Sequence, residues 1–347
     1  MAKFRILALD GGGIRGAFGA ALLAELEESL GAPLTTYFDL VAGTSTGAII
    51  AASLASGMPA NDVVDFYDRY GAKIFKPRPL RVGKGWTQPF YPMARSILGK
   101  LLKVNFDDFF RAKFCPFALD ESFEEAFGDL TLGRVANARL VVPTVRLNDG
   151  RTQVFRTPHL PSHLQDVDVK IKDLLVAATA APTYFPHKTM PDGTVHIDGG
   201  LFAVNPAMIA LAEAMKIQQL CTRETCDPRY DTSDIQILSI GTGNVNFSLE
   251  PPGADAGQLY WASKIATVMG ASQVDGLQAP LEFVLGDRYR RVNFDLPDPT
   301  WTLDCVQHIP KLFELGRRWG EELIDDLGPT FFEEESPAFR PFSQSSL

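Results

Sequence analysis

The sequence predicts an α/β protein, a parallel sheet with helices on both faces. Three observations carry that prediction. Near-continuous apolar runs such as FRILALD (4–10) and IQILSIGTG (235–243) suit strands buried on both sides. These runs alternate with segments of helical period, and strand–helix alternation builds parallel sheets. Glycine-rich turns, DGGGIRG (10–16) and GTSTG (43–47), stand where a strand hands over to a helix.

FRILALD is the first strand, and AFGAALLAELEESLG (17–31) is a helix that ends in acids and stops at Gly31. YFDLVAG (37–43) is the second strand, and TGAIIAASLASG (46–57) is a helix closed by Gly57. The 19 uncharged residues from Leu40 to Met58 are long enough for a membrane span. Their Gly, Ser and Thr content and the turn within them instead predict a buried strand followed by a buried helix. Further on, SFEEAFG (122–128) reads as a helix, and ARLVVPTVRL (138–147) and RTQVFRT (151–157) as strands. IKDLLVAATAAPTYF (171–185) reads as a helix ended by its prolines, TVHIDGG (194–200) as a strand running into a tight turn, and PAMIALAEAMKI (206–217) as a helix. IQILSIGTG is a late buried strand. Residues 255–327 are mostly helical around one strand at YRRVNF (289–294), and the tail 328–347 reads as partly loose. With no internal repeat and no low-complexity linker, the expectation is one domain over 1–327 with an insertion at about 73–113.

The 347 residues are 46% hydrophobic and 22% charged, enough for a sizeable core. A net charge of −9 argues against wholesale nucleic-acid binding. The cysteines Cys115, Cys221, Cys226 and Cys305 are too few for a disulfide scaffold. CTRETC has no second Cys or His pair beside it, so reduced thiols and no metal are expected. The N-terminus has only Ile6–Leu9 as an apolar run, well short of a signal peptide, and the expected location is the cytoplasm.

The chemistry concentrates in two turns. GTSTG matches Gly-x-Ser-x-Gly between a buried strand and a buried helix. A nucleophilic serine projects from such a turn, and its neighbours Gly43 and Gly47 must be tiny for the backbone to double back. The helix that starts there adds N–H groups and partial positive charge beside Ser45. Gly11-x-Gly13-x-x-Gly16 also fits a dinucleotide-binding turn. That motif wants an acid at the end of the second strand, about twenty residues on. Asp39 lies inside the strand segment, and what ends the strand is the serine turn. Two adjacent parallel strands bring the glycine turn and Ser45 to one sheet edge, where the Gly11–Gly13 backbone can serve as an oxyanion hole. None of the five histidines sits in a motif, and His187 and His196 are the most plausible bases among them. Asp198, at a strand end before Gly199 and Gly200, is the better candidate.

DGGGIRG, GTSTG and DGG in that order, with AATAAPTYFP before the last and NPA after it, resemble the patatin-like phospholipases over about residues 4–245. The resemblance implies a three-layer α/β/α sandwich with a mainly parallel sheet. It also implies a Ser–Asp dyad that hydrolyses acyl esters of phospholipids and related lipids through an acyl-enzyme, without metal or other cofactor. Carried over, Ser45 is the nucleophile, Asp198 its base, and Gly11, Gly12 and Gly13 the oxyanion hole, aided by Arg15. Rival readings are an esterase or thioesterase on soluble substrates, an effector switched on by a small ligand or by oligomerisation, and a nucleotide-binding protein with a silent serine.

Residues 73–113 hold ten Lys/Arg against two Asp/Glu, with Trp86, Phe90 and Tyr91 among them. Two readings stay open: a solvated loop whose aromatics pack on the body, or a basic aromatic cap in peripheral contact with a membrane.

Overall fold

In the computed structural model, the described residues are 3–78, 111–220, 234–244, 257, 261, 264–298 and 300–342. An eight-stranded sheet forms the centre. Its strands are β1 (Lys3–Leu9), β2 (Leu40–Gly43), β3 (Arg139–Arg146), β4 (Arg151–Arg156), β5 (Lys188–Thr189), β6 (Val195–Asp198), β7 (Asp234–Ile240) and β8 (Tyr289–Val292). The order is β5-β6-β3-β2-β1-β7-β8, with β4 paired to β3. β3, β2, β1, β7 and β8 run parallel; β4 and β6 pair antiparallel with β3, and β5 pairs antiparallel with β6.

The helices are α1 (Gly16–Leu30), α2 (Thr46–Ala55), α3 (Ala60–Ile74), α4 (Phe117–Phe127), α5 (Ile171–Ala178), α6 (Ala207–Leu220), α7 (Ile265–Leu285) and α8 (Ile309–Leu327). Side chains of a strand alternate between faces, and β1 shows the consequence. Leu7 and Leu9 join the core built with α1–α5 and α8, while Phe4, Ile6 and Ala8 join the one built with α6 and α7. The sheet is therefore the middle of three layers, as expected. The uncharged run 40–58 is β2 and α2, every residue of both being buried. α8 lies against α1, where Gly316 and Gly320 face the Phe18 carbonyl and Glu25 with no room for a β-carbon.

Two elements are shaped by contacts the local pattern does not show. α5 ends at Ala178, four residues before the first of its expected prolines, Pro182. The tail is not loose over residues 328–342. Phe331, Phe332 and Phe339 are buried, the guanidinium of the buried Arg139 lies 5.0 Å over the Phe339 ring, and Ser336 N–H donates to the Thr36 carbonyl. Residues 343–347, most of the 73–113 insertion, and Cys221 and Cys226 fall outside the described residues.

Candidate active site

The site lies where two strands run head to head. β2 pairs with Arg139–Val141 of β3 and β6 with Thr144–Arg146, while β4 occupies the opposite edge of β3. β2 is parallel to β3 and β6 antiparallel, so their C-terminal ends point at each other across Val142 and Pro143. Pro143 sits mid-strand, where a missing N–H normally costs a ladder hydrogen bond. Here that position belongs to the edge that neither β2 nor β6 covers. The Leu140 N–H faces β4-side Thr157, and the Leu147 N–H donates to the carbonyl of Val195, the first residue of β6. By strand alternation the Pro143 backbone points into the gap, and the chain of Gly199 passes so close to its carbonyl that an added β-carbon would lie 2.2 Å away.

Ser45 and Asp198 face each other across this gap, near enough for the serine hydroxyl to favour the charged form of the carboxyl. Ser45 has φ 53° and ψ −121°, a conformation L residues avoid, and the packing around the turn holds it there. A β-carbon on Gly43 would come within 2.1 Å of the Gly47 carbonyl, and one on Gly47 within 2.2 Å of the Leu9 carbonyl. The turn is thus pressed into the end of β1. Ser45 is half-buried and Asp198 buried. Burial pushes the Asp198 carboxyl up to about 6, against the opposing pull of the nearby Ser45 hydroxyl and of a hydrogen bond from the Gly200 N–H, 2.7 Å from Oδ1. A carboxylate poised near neutrality beside a serine hydroxyl can serve as its base.

The glycine turn lies beside the serine, but its parts differ from the sequence expectation. The Gly11 N–H is not a free donor, since it donates to the Val204 carbonyl at 2.9 Å. Gly11 matters for its missing side chain, because an added β-carbon would stand 3.2 Å from the Ser45 β-carbon. The N–H groups of Gly12 and Gly13 have no hydrogen-bond partner among the described residues, which leaves them able to receive an oxyanion. Gly13 has φ 58° and faces the Leu303 carbonyl, and a β-carbon on Gly12 would overlap Thr242. Arg15 is buried, with Nε 3.3 Å from the Gly12 carbonyl. It braces the loop from behind, and burial lowers its pKa to about 10, so it stays charged at neutral pH.

Residues that no motif marked hold this loop in place. Asp10 is buried and ion-paired with Arg291 of β8, whose Nη1 also donates to Ser239 Oγ at 2.8 Å. Thr242 Oγ1 donates to the Gly11 carbonyl, and Thr44 Oγ1 to the Ala203 carbonyl, both at 2.8 Å. Behind the serine, the buried Tyr67 hydroxyl is hydrogen bonded to Thr46 Oγ1. No local signal distinguishes these residues from ordinary polar ones.

Among the described residues no histidine is hydrogen bonded to Ser45 or Asp198. His196 is buried, with its ring nitrogens 2.9 Å from Thr144 Oγ1 and Thr194 Oγ1. His187 is exposed. Away from this site, ligand atoms of His159, His163 and Glu213 converge. Arg156 Nε already lies 2.6 Å from Glu213 Oε2, and Lys216 Nζ 3.0 Å from His163 Nε2. Two side-chain cations thus hold the positions a metal ion would contest.

Residues 7–211 match the family model described as Patatin-like phospholipase. The chain belongs to the patatin-like phospholipase family. It is 31% identical over 291 residues to the cGAMP-activated phospholipase of Pseudomonas aeruginosa, covering 84% of this chain and 78% of that protein. With the cGAMP-activated phospholipase of Vibrio cholerae it shares 35% identity over 257 residues, 72% of this chain and 67% of that one. Patatin-like protein 3 of Arabidopsis thaliana is 30% identical over 69% of this chain and 59% of its own length. This patatin-like chain is a lipid ester hydrolase. Asp39, the residue nearest to a ribose-binding acid, is buried ahead of β2 with its carboxylate accepting the Arg5 N–H at 2.9 Å.

Proposed function

We propose that this patatin-like hydrolase cleaves acyl esters of phospholipids with Ser45 as nucleophile and Asp198 as the base. The observation that carries the proposal is the approach of Ser45 to the buried Asp198 carboxyl at the meeting of β2 and β6, with the N–H groups of Gly12 and Gly13, unpartnered among the described residues, in the neighbouring loop. Asp198 takes the serine proton as Oγ attacks the ester carbonyl. The Gly12 and Gly13 N–H groups receive the oxyanion; collapse of the intermediate breaks the ester C–O bond, and the departing alcohol takes the proton back from Asp198. Water, deprotonated by Asp198, then attacks the acyl-enzyme, releasing the fatty acid as Ser45 regains its proton. Lipid mass spectrometry on mixed membranes, with wild type and Ser45→Ala, tests this. Released fatty acid and lysolipid are expected with wild type alone, and product formation by folded Ser45→Ala protein removes Ser45 from the mechanism.

The names of the bacterial relatives favour a second level of control, activation by a cyclic dinucleotide. Hydrolysis of a soluble ester with and without cGAMP tests it, and identical rates exclude cGAMP as the activator. Among the described residues no helix is long and apolar enough to cross a membrane. Peripheral contact through the basic segment 73–113 is the corresponding proposal. It predicts binding to anionic vesicles that weakens steeply with salt.

A further inference from the structure

A helix on a protein surface normally turns its charged side to water. α7 does not. Of its 21 residues only Leu281 and Leu285 are buried, yet it carries just two charged side chains, Asp275 and Glu282. At 3.6 residues per turn, Ile265, Met269, Ser272, Gly276, Ala279 and Phe283 fall on one side, opposite the buried residues. That outward side is uncharged from end to end. Ile265 is 49% exposed, Met269 50% and Phe283 92%. A folded chain gains nothing from such a face in water.

α7 is also tied to the turn that follows Asp198. Leu201 and Phe202, three and four residues beyond Asp198, are 48% and 46% exposed. Gln273 on α7 holds their turn at both ends, donating from Nε2 to the Leu201 carbonyl at 2.9 Å and accepting the Val204 N–H at 3.3 Å. The Val204 carbonyl in turn accepts the Gly11 N–H. The apolar surface is therefore built onto the rim of the reaction centre. Substrates of a lipid ester hydrolase reside in a lipid phase. Their ester must reach the half-buried Ser45, and an apolar rim lets the acyl chain pass without crossing water.

We propose that the outward face of α7, with Leu201 and Phe202, seats the protein on a lipid bilayer by apolar contact. The proposal rests on the Ser45–Asp198 assignment, which makes this rim the substrate's entrance. It differs from the basic segment in its physics. Burial of uncharged surface is not screened by salt, so this contact forms on neutral phosphatidylcholine vesicles and persists at high ionic strength.

The test is sedimentation with phosphatidylcholine vesicles at 0.1 and 0.5 M salt, on full-length Ser45→Ala protein so that the vesicles survive. Ile265→Ser with Met269→Ser is compared with the same protein lacking those changes. Both positions are exposed, so the fold should be retained. Removing two half-exposed apolar side chains should weaken partitioning on the order of 30-fold, with little dependence on salt. With Ser45 restored, the double variant should lose hydrolysis of vesicle lipid in parallel and keep its rate on a soluble short-chain ester. Equal vesicle binding by the two proteins overturns the proposal, as does failure of both to bind. Light scattering that shows a dimer broken by the double variant, with vesicle binding unchanged, assigns the face to a second copy of the chain instead. Activity remaining in Ser45→Ala refutes the catalytic assignment, and sedimentation still reports on the docking face separately.

Discussion

Replacing Asp198 by Asn should silence the enzyme and stabilise it. Burial raises the Asp198 pKa from the model-compound value of 3.8 to about 6. A carboxyl whose folded pKa lies above its unfolded value binds more protons when folded, so stability falls as pH rises between those values. The loss is complete above about pH 6 and absent below 3.8. At about 1.36 kcal/mol per pH unit, the ionised group costs the fold about 3 kcal/mol at pH 7. Asparagine keeps the shape, can still accept the Gly200 N–H, and carries no charge. The gain should raise the melting temperature by about 4 °C, taking an unfolding entropy of about 2.1 cal/mol/K per residue. Thermal and urea unfolding of wild type and Asp198→Asn at pH 7 and pH 3.5 measure this, with turnover of a soluble ester alongside. The gain should be present at pH 7 and vanish at pH 3.5. A gain equal at both pH values, or none at pH 7, refutes the argument that an ionised buried carboxylate is what the fold tolerates for catalysis.

The same carboxyl should set the acid limb of the pH–rate profile, with kcat/KM rising through about pH 6, and His187→Ala and His196→Ala should keep that limb and most of the rate. Ser45→Gly should abolish activity yet stabilise the fold by about 1–3 kcal/mol in urea titration, because glycine adopts φ 53° without strain. Gly12→Ala should lower kcat on the order of 10²-fold, since the new β-carbon overlaps Thr242 and moves the donors; calorimetry should detect no NAD binding to wild type. Arg291→Met should destabilise the protein by about 3–5 kcal/mol in the same titration, by leaving the Asp10 carboxylate buried without its partner.

The sequence by itself determined the strand–helix alternation, the serine turn and the candidate aspartate. Each is written in local chemistry: apolar runs of strand length, and glycines flanking Ser45 and following Asp198. It also favoured an oxyanion hole over a dinucleotide site, because the second strand ends in a serine turn instead of an acid. Only the tertiary structure decided how Asp198 reaches Ser45. β6 runs antiparallel onto the edge of β3 that β2 leaves, and pairing between residues fifty or more positions apart leaves no mark in local periodicity. The same holds for Gly11, whose N–H is taken by Val204, for Arg15, which braces the Gly12 carbonyl, and for Asp10, paired with an arginine 281 positions away. The tail read as partly loose because prolines and serines have low propensity for regular structure. It is held instead by Phe331, Phe332 and Phe339 entering spaces that other elements create, among them the buried Arg139. Turn chemistry belongs to a few consecutive residues and can be read from them. Which N–H is free, which carboxylate is desolvated and which edge of a strand is vacant depend on neighbours that folding alone brings together.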